Sequence, residues 1–164
     1  AALKGVFSKM VGQPVSCVNT PLLAEQHSIE VSFTMEAVSK SYRNVITLRG
    51  VLADGTPVSV TGTLTGPKQV EKIVGLNGYE VELPIPEHLI VFSYEDRPGI
   101  VSTYSTILGE AGVNIAGLQV SRDSEHRTAL SVLSIDAPVP ESLIDQLRDS
   151  IDASTLRAIT VPEI

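Results

Sequence analysis

Two dipeptides, Asp54-Gly55 and Asn77-Gly78, each separate a pair of segments that read as strands. Gly, Asn and Asp reach positive φ at little cost, and a tight turn of positive φ matches the right-handed twist of the strands it joins. Each dipeptide therefore turns its chain back on itself as an antiparallel hairpin. The segments are Asn44 to Leu52, then Val58, Val60, Gly62 and Leu64 alternating with Ser59, Thr61, Thr63 and Thr65, then Gln69 to Leu76, then Tyr79 to Leu83. A further alternating run precedes them. Ile29, Val31, Phe33 and Met35 against Glu30, Ser32, Thr34 and Glu36 predict another half-buried strand.

Ahead of the strands, Leu3, Val6, Phe7, Met10 and Val11 share one helical face. Asn19 or Thr20 opens a second short helix, with Pro21 in its first turn, running through Leu22-Leu23-Ala24-Glu25 and stopping near Ser28. Residues 1–87 thus read as an antiparallel sheet packed on helices along one face. The segment Leu83-Pro84-Ile85-Pro86-Glu87 breaks the strand pattern, because each proline removes a ladder donor. A domain boundary is expected there, giving domains 1–87 and 88–164.

The second part reads β-α-β-β-α-β. His88 to Tyr94 is an apolar strand, and Asp96-Arg97-Pro98-Gly99 ends it and opens a helix. Ile100, Val101, Tyr104, Ile107, Leu108 and Ala111 form that helix's stripe, with Gly112 suited to its C-terminal cap. Strands follow from Asn114-Ile115 to about Arg122 and from Arg127 to Asp136, joined by the turn Asp123-Ser124-Glu125-His126. Pro140-Glu141 starts a helix with Leu143, Ile144, Leu147 and Ile151 on its buried face, and Thr155 to Val161 is the last strand. The expected fold class is α+β, a partial antiparallel-sheet domain followed by a ferredoxin-like unit with two helices on one face.

Several chemistries are excluded. Twelve Lys and Arg face nineteen Asp and Glu, so no basic surface is available for a nucleic-acid backbone. The charge is also uneven: residues 1–87 hold seven basic and eight acidic side chains, residues 88–164 five and eleven. One cysteine makes neither a disulfide nor a zinc site, and Cys17, within Val15-Ser16-Cys17-Val18, is expected in a core. His27, His88 and His126 lack ligand spacing. No apolar run approaches the ~20 residues of a membrane span. Gly62-Thr63-Leu64-Thr65-Gly66-Pro67-Lys68 is not a phosphate loop: its spacing is one short, and Pro67 lacks an N–H. The opening Ala1-Ala2-Leu3-Lys4 has neither initiator Met nor signal peptide, and the expectation is a piece of a longer cytoplasmic chain.

The junction after the first strand of the second part carries the chemistry. A helix N-terminus offers free N–H groups and partial positive charge to a carboxylate. Pro98 gives up a donor the helix does not need, and Gly99 lets an anion approach the backbone. Asp96 could receive an ammonium, and Asn114 offers a donor and an acceptor. Together they suit a free amino acid. Asp96 is equally a good N-cap and Asn114 a good turn residue.

Residues 88–164 resemble an ACT domain, through Tyr94-Glu95-Asp96-Arg97-Pro98-Gly99-Ile100, Gly112-Val113-Asn114-Ile115 and the spacing from Asp96 to Asn114. Residues 1–87 resemble the intervening, or allosteric substrate-binding, domain of the D-3-phosphoglycerate dehydrogenase family. Asn19-Thr20-Pro21-Leu22-Leu23-Ala24-Glu25, Asp54-Gly55, Gly62-Thr63-Leu64-x-Gly66-Pro67 and Lys72-Ile73-Val74-x-x-Asn77-Gly78 carry that likeness. The resemblance implies a regulatory portion that performs no reaction itself, within an NAD-dependent enzyme of L-serine biosynthesis. It implies L-serine as effector, bound at Tyr94, Asp96, Arg97, Pro98, Gly99 and Ile100 of one subunit and Asn114 of its neighbour, in a homo-oligomer joined through ACT domains. Some members have His and Asn at the positions of Tyr94 and Asp96. The intervening domain is expected to lack its first half. Of the basic residues at the family's anion site, Lys72 matches one, while Tyr79 and Pro84 stand where arginines are expected. No Gly-x-Gly-x-x-Gly and no catalytic His/Glu pair is present, so neither cofactor nor catalytic residue is expected on this chain. Two alternatives are part of an iron–sulfur L-serine dehydratase, for which one cysteine is too few, and an ACT dimerisation module without a ligand.

Overall fold

A computed structural model describes all residues except 1, 9, 13, 36–38, 40, 126 and 162–164, and omits the side chains of residues 2 and 3. Glu36, His126 and the side chain of Leu3 lie outside what is described. The chain forms two compact units, Ala1–Ser41 and Tyr42–Ile164.

The first unit holds α1 (Ala2–Ser8) and α2 (Thr20–Gln26). Phe7, Leu23 and Ala24 are buried together, with Val11, Val15 and Ile29 packed around them. Val6 and Met10, expected on the same face, are exposed. Asn19 occupies the N-cap position of α2 but makes no side-chain cap bond. Its Oδ1 accepts the Ser16 N–H at 2.8 Å and its Nδ2 donates to the Pro14 carbonyl at 3.0 Å, so it braces the preceding loop. Two expectations are corrected here. Cys17 is exposed, because it sits in the turn that leads into α2 and not on a buried face. Residues 29–35 are not a strand. The Ile29 N–H is held by the Ala24 carbonyl at 2.8 Å, and Phe33 and Met35 are 85% and 81% exposed. Alternation describes one strand, whereas a strand persists only when its N–H and C=O groups find a neighbour's.

The second unit opens with β1 (Ile46–Val51), β2 (Pro57–Thr65), β3 (Val70–Leu76) and β4 (Tyr79–Pro84), an antiparallel sheet in sequential order. Asn77 and Gly78 have φ of 48° and 87°, the paired positive values of a two-residue hairpin. The other turn differs from expectation. Only Gly55 has positive φ, at 85°. Asp54 instead uses its side chain, accepting the Thr56 N–H at 2.8 Å. This hydrogen bond is the main reason its carboxyl lies below the usual range.

Then come β5 (His88–Glu95), α3 (Ile100–Glu110), β6 (Ile115–Arg122), β7 (Thr128–Ile135), α4 (Glu141–Ile151) and β8 (Thr155–Thr160). The strands form a second antiparallel sheet in the order β6-β7-β5-β8, as the split-βαβ reading requires. Both helices lie on one face. Ile90, Phe92, Tyr94, Ala129, Leu133 and Leu156 of the sheet are buried with Tyr104, Leu108, Leu143, Ile144, Leu147 and Ile151 of the helices. Val101 and Ala111, expected in the stripe of α3, are exposed. The opposite face of this sheet is covered as well. Leu89, Val91, Leu130 and Val132 meet Val81, Ile73, Leu76, Tyr79 and Leu83 of the first sheet. The Tyr79 hydroxyl lies 2.6 Å from the Thr128 hydroxyl, and the Glu82 N–H donates to Gln119 Oε1 at 2.8 Å.

Helix α3 ends in a Schellman cap. The Val113 N–H bonds the Leu108 carbonyl at 2.9 Å and the Gly112 N–H bonds that of Gly109 at 3.0 Å, with Gly112 at φ 72°. This tight exit delivers Asn114 to the start of β6.

Candidate functional site

The junction between β5 and α3 is open at its tip and anchored at its base. The Asp96 N–H continues the ladder by bonding the Arg127 carbonyl at 2.9 Å. Arg97, Pro98 and Gly99 are exposed, and Ile100 turns inward to the core. Gly99, at φ 94°, is the N-cap of α3, and nothing lies within 4 Å of where its Cβ would stand. No side chain caps this helix and its first turn holds no acid. The positive end of α3 is therefore presented without a neutralising group. Asp96 is not the cap: its Oδ2 pairs with Arg122 Nε at 2.8 Å. The Asp96 side chain is 16% exposed and that of Arg122 59%.

Tyr94 is placed differently from its neighbours. It is buried against Phe92, and its hydroxyl lies 2.9 Å from that of Ser131, inside the core. Burial pushes its phenol above the usual range, against the Ser131 hydrogen bond, which lowers it; Asp96 adds a smaller upward push. Tyr104, 3.5 Å from the same Ser131 hydroxyl, is raised for the same first reason.

Asn114 lies at the other end of the sheet. Ile115 and His88 both pair with Ile135, whereas Arg122 and Tyr94 both pair with Ala129. At ~3.4 Å per residue the two ends are roughly 20 Å apart. Asn114 is exposed, and its Nδ2 donates to Asp136 Oδ2 at 2.7 Å, leaving its carbonyl oxygen outward. One chain therefore brings Asp96, Gly99 and Arg122 together and keeps Asn114 apart. Lys72 belongs to neither place. It sits on β3, where its Nζ pairs with Glu82 Oε1 at 2.6 Å.

Sequence reasoning missed Arg122. It closes β6, in the row of Ala129, and a lone basic residue at a strand end has no local pattern to announce it. The signal that could have found it is the split-βαβ topology, which brings the last residues of β5 and β6 to the same end of the sheet on either side of β7. Beyond Arg122 an open cleft of about 630 Å3 separates the β3–β4 hairpin from the β6–β7 hairpin, lined among others by Asn77, Glu80, Ser121 and Asp123. For Asp123, desolvation pushes upward, but the Arg127 N–H and the Thr128 hydroxyl outweigh it and hold the carboxyl low. Among the described residues no group of three His, Cys, Asp or Glu is arranged to hold a metal ion, and no helix is long and apolar enough to cross a membrane.

Residues 88–152 match the ACT domain model, and residues 1–77 match the model of the D-3-phosphoglycerate dehydrogenase intervening domain. D-3-phosphoglycerate dehydrogenase from Mycobacterium leprae is 35% identical over 161 residues, 98% of this chain. The Mycobacterium tuberculosis protein of the same name is 36% identical over 159 residues, 97% of the chain. The one from Bacillus subtilis is 28% identical over 162 residues, 99% of the chain. The chain spans 30% of the length of each of these relatives. Over nearly its whole length it corresponds to the intervening-plus-ACT portion of the D-3-phosphoglycerate dehydrogenase family.

Proposed function

We propose that this chain is the L-serine-sensing part of a D-3-phosphoglycerate dehydrogenase, and that it binds the amino acid between the ACT units of two copies. The observation that carries this reading is the placement of Asp96 and Asn114 at opposite ends of one sheet. β6 is an edge strand. Antiparallel pairing of β6 with β6 of a second copy, centred near Leu118, would extend the sheet and carry Asn114 of the second copy to the Arg122 end of the first. There an ammonium would meet Asp96, a carboxylate would meet the uncapped N-terminus of α3, and the amide of Asn114 would close the site. The match to the intervening domain favours this enzyme over a serine dehydratase.

The catalytic reaction and its nicotinamide cofactor are assigned to the parent enzyme and not to these residues. The sequence holds no Gly-x-Gly pair, so the residues present do not fit a dinucleotide. Regulation would then follow from linkage: L-serine shifts the parent enzyme only as far as it binds one arrangement of subunits better than another.

Titrating L-serine calorimetrically into the wild-type chain and into Asp96→Ala tests the reading. Binding by the wild type and its loss in the variant are expected, and equal heats from both would remove Asp96 from the site. Sedimentation with and without L-serine reports whether the ligand holds copies together.

A further inference from the structure

The ion pair between Asp96 and Arg122 brings Oδ2 to 2.8 Å from Nε. Among the described residues, no third residue is a hydrogen-bond or ion-pair partner of either side chain. A guanidinium has five N–H donors, so one paired with a single carboxylate keeps donors for a second. The pair stands at the tip of the sheet, with the Arg122 side chain more than half exposed. Asp96 continues the face of Tyr94, and Arg122 shares the row of Tyr94 and Ala129, so both belong to the helix side of the sheet beside the start of α3.

We propose that Arg122 shares the ligand's carboxylate with the N-terminus of α3, and that the Asp96–Arg122 pair acts as one unit that selects α-amino-acid zwitterions. The inference rests on the reading of the site as an amino-acid site and adds the basis of its selectivity. Asp96 alone, on a half-chain with eleven acids and five arginines, would favour any small cation. Pairing with Arg122 cancels that preference. A simple amine gains Asp96 Oδ1 but faces the guanidinium beside it, and a simple carboxylate gains Arg122 but faces Asp96. An α-amino acid, whose two charges flank a single carbon, satisfies both at once. Both charges of the site come from one chain, which leaves to the second copy the uncharged contact from Asn114.

The test compares three ligands by calorimetry on the 164-residue chain: L-serine, L-serinamide, which lacks the carboxylate, and 3-hydroxypropionate, which lacks the ammonium. The variants are Arg122→Gln and Arg122→Lys, their folding checked by circular dichroism. Wild type should prefer L-serine to either analogue by about ten- to a hundredfold, the range of a charge-assisted contact. Arg122→Gln should lower L-serine toward the level of L-serinamide without weakening L-serinamide, and Arg122→Lys should recover part of the preference. Unchanged L-serine affinity in Arg122→Gln, or equal losses for L-serine and L-serinamide, would overturn the proposal. A panel of glycine, L-alanine and L-threonine separates the two layers of the argument. If one of these binds and L-serine does not, the serine reading falls and Arg122→Gln must lose that amino acid for the pair's role to stand. If the wild type binds no amino acid at all, both fall.

Discussion

The hydroxyls of Tyr94 and Ser131 lie 2.9 Å apart in the closed interior between β5, β7 and α3. Tyr94 stands two residues before Asp96, so the ring that fills the core also fixes where the strand releases the carboxylate. Among the described residues, removing the phenol oxygen leaves Ser131 with only the Tyr104 hydroxyl, at 3.5 Å. Tyr94→Phe should destabilise the chain by about 1 kcal/mol, the net value of a buried hydrogen bond. A urea denaturation with unchanged slope and a lower midpoint is the expected result.

The same tyrosines set an alkaline limit. Burial raises Tyr94 and Tyr104 above 10.0, their ordinary value. For an acid raised on folding, the unfolded chain loses its proton first, so the folded state holds more protons between the two values. Stability is then full below pH ~10 and falls as pH rises through the folded values. Thermal melts between pH 8 and 11 should show this fall, and Tyr94→Phe with Tyr104→Phe should flatten it.

Two glycines three residues apart should respond in opposite directions. Gly109 lies within α3, exposed, with nothing near its Cβ position. Gly109→Ala should stabilise by about 0.5–1 kcal/mol through helix propensity. Gly112 holds the cap at φ 72°, and Gly112→Ala should cost about 1–2 kcal/mol. Thermal melts of both variants side by side check the contrast.

Asp136 orients Asn114 through its 2.7 Å hydrogen bond. Asp136→Ala leaves the exposed amide free to rotate. If Asn114 completes the amino-acid site of a second copy, Asp136→Ala should weaken L-serine roughly fivefold, for about 1 kcal/mol of lost orientation. Its melting temperature should change little, because both side chains are at the surface.

The ferredoxin-like half was legible because each of its signals is local. The stripe of Leu143, Ile144, Leu147 and Ile151 lies on one helix, just as in the first sheet Asn77-Gly78 carries its own backbone conformation. What failed depended on a partner the sequence does not name. The alternation of Ile29 to Met35 is blind to whether a neighbouring strand exists. Apolar neighbours placed Cys17 in a core, although the turn into α2 exposes it. Asp54 solved its turn with a side-chain acceptor in place of positive φ, an option that Asp shares with few residues. For the site, Asp96 and Gly99 were found because strand, turn and helix follow one another in the chain. Arg122 was hidden because its carboxylate lies 26 positions upstream in sequence.

β7 has no wet side: helices press on Ala129 and Leu133 from one direction, and Val81 and its neighbours press on Leu130 and Val132 from the other. A strand insulated on both faces cannot be lifted out with only half of its surroundings. Cutting the chain at the prolines to obtain the ACT unit alone would bare Leu89, Leu130 and Val132 to solvent and yield a sticky, aggregation-prone fragment.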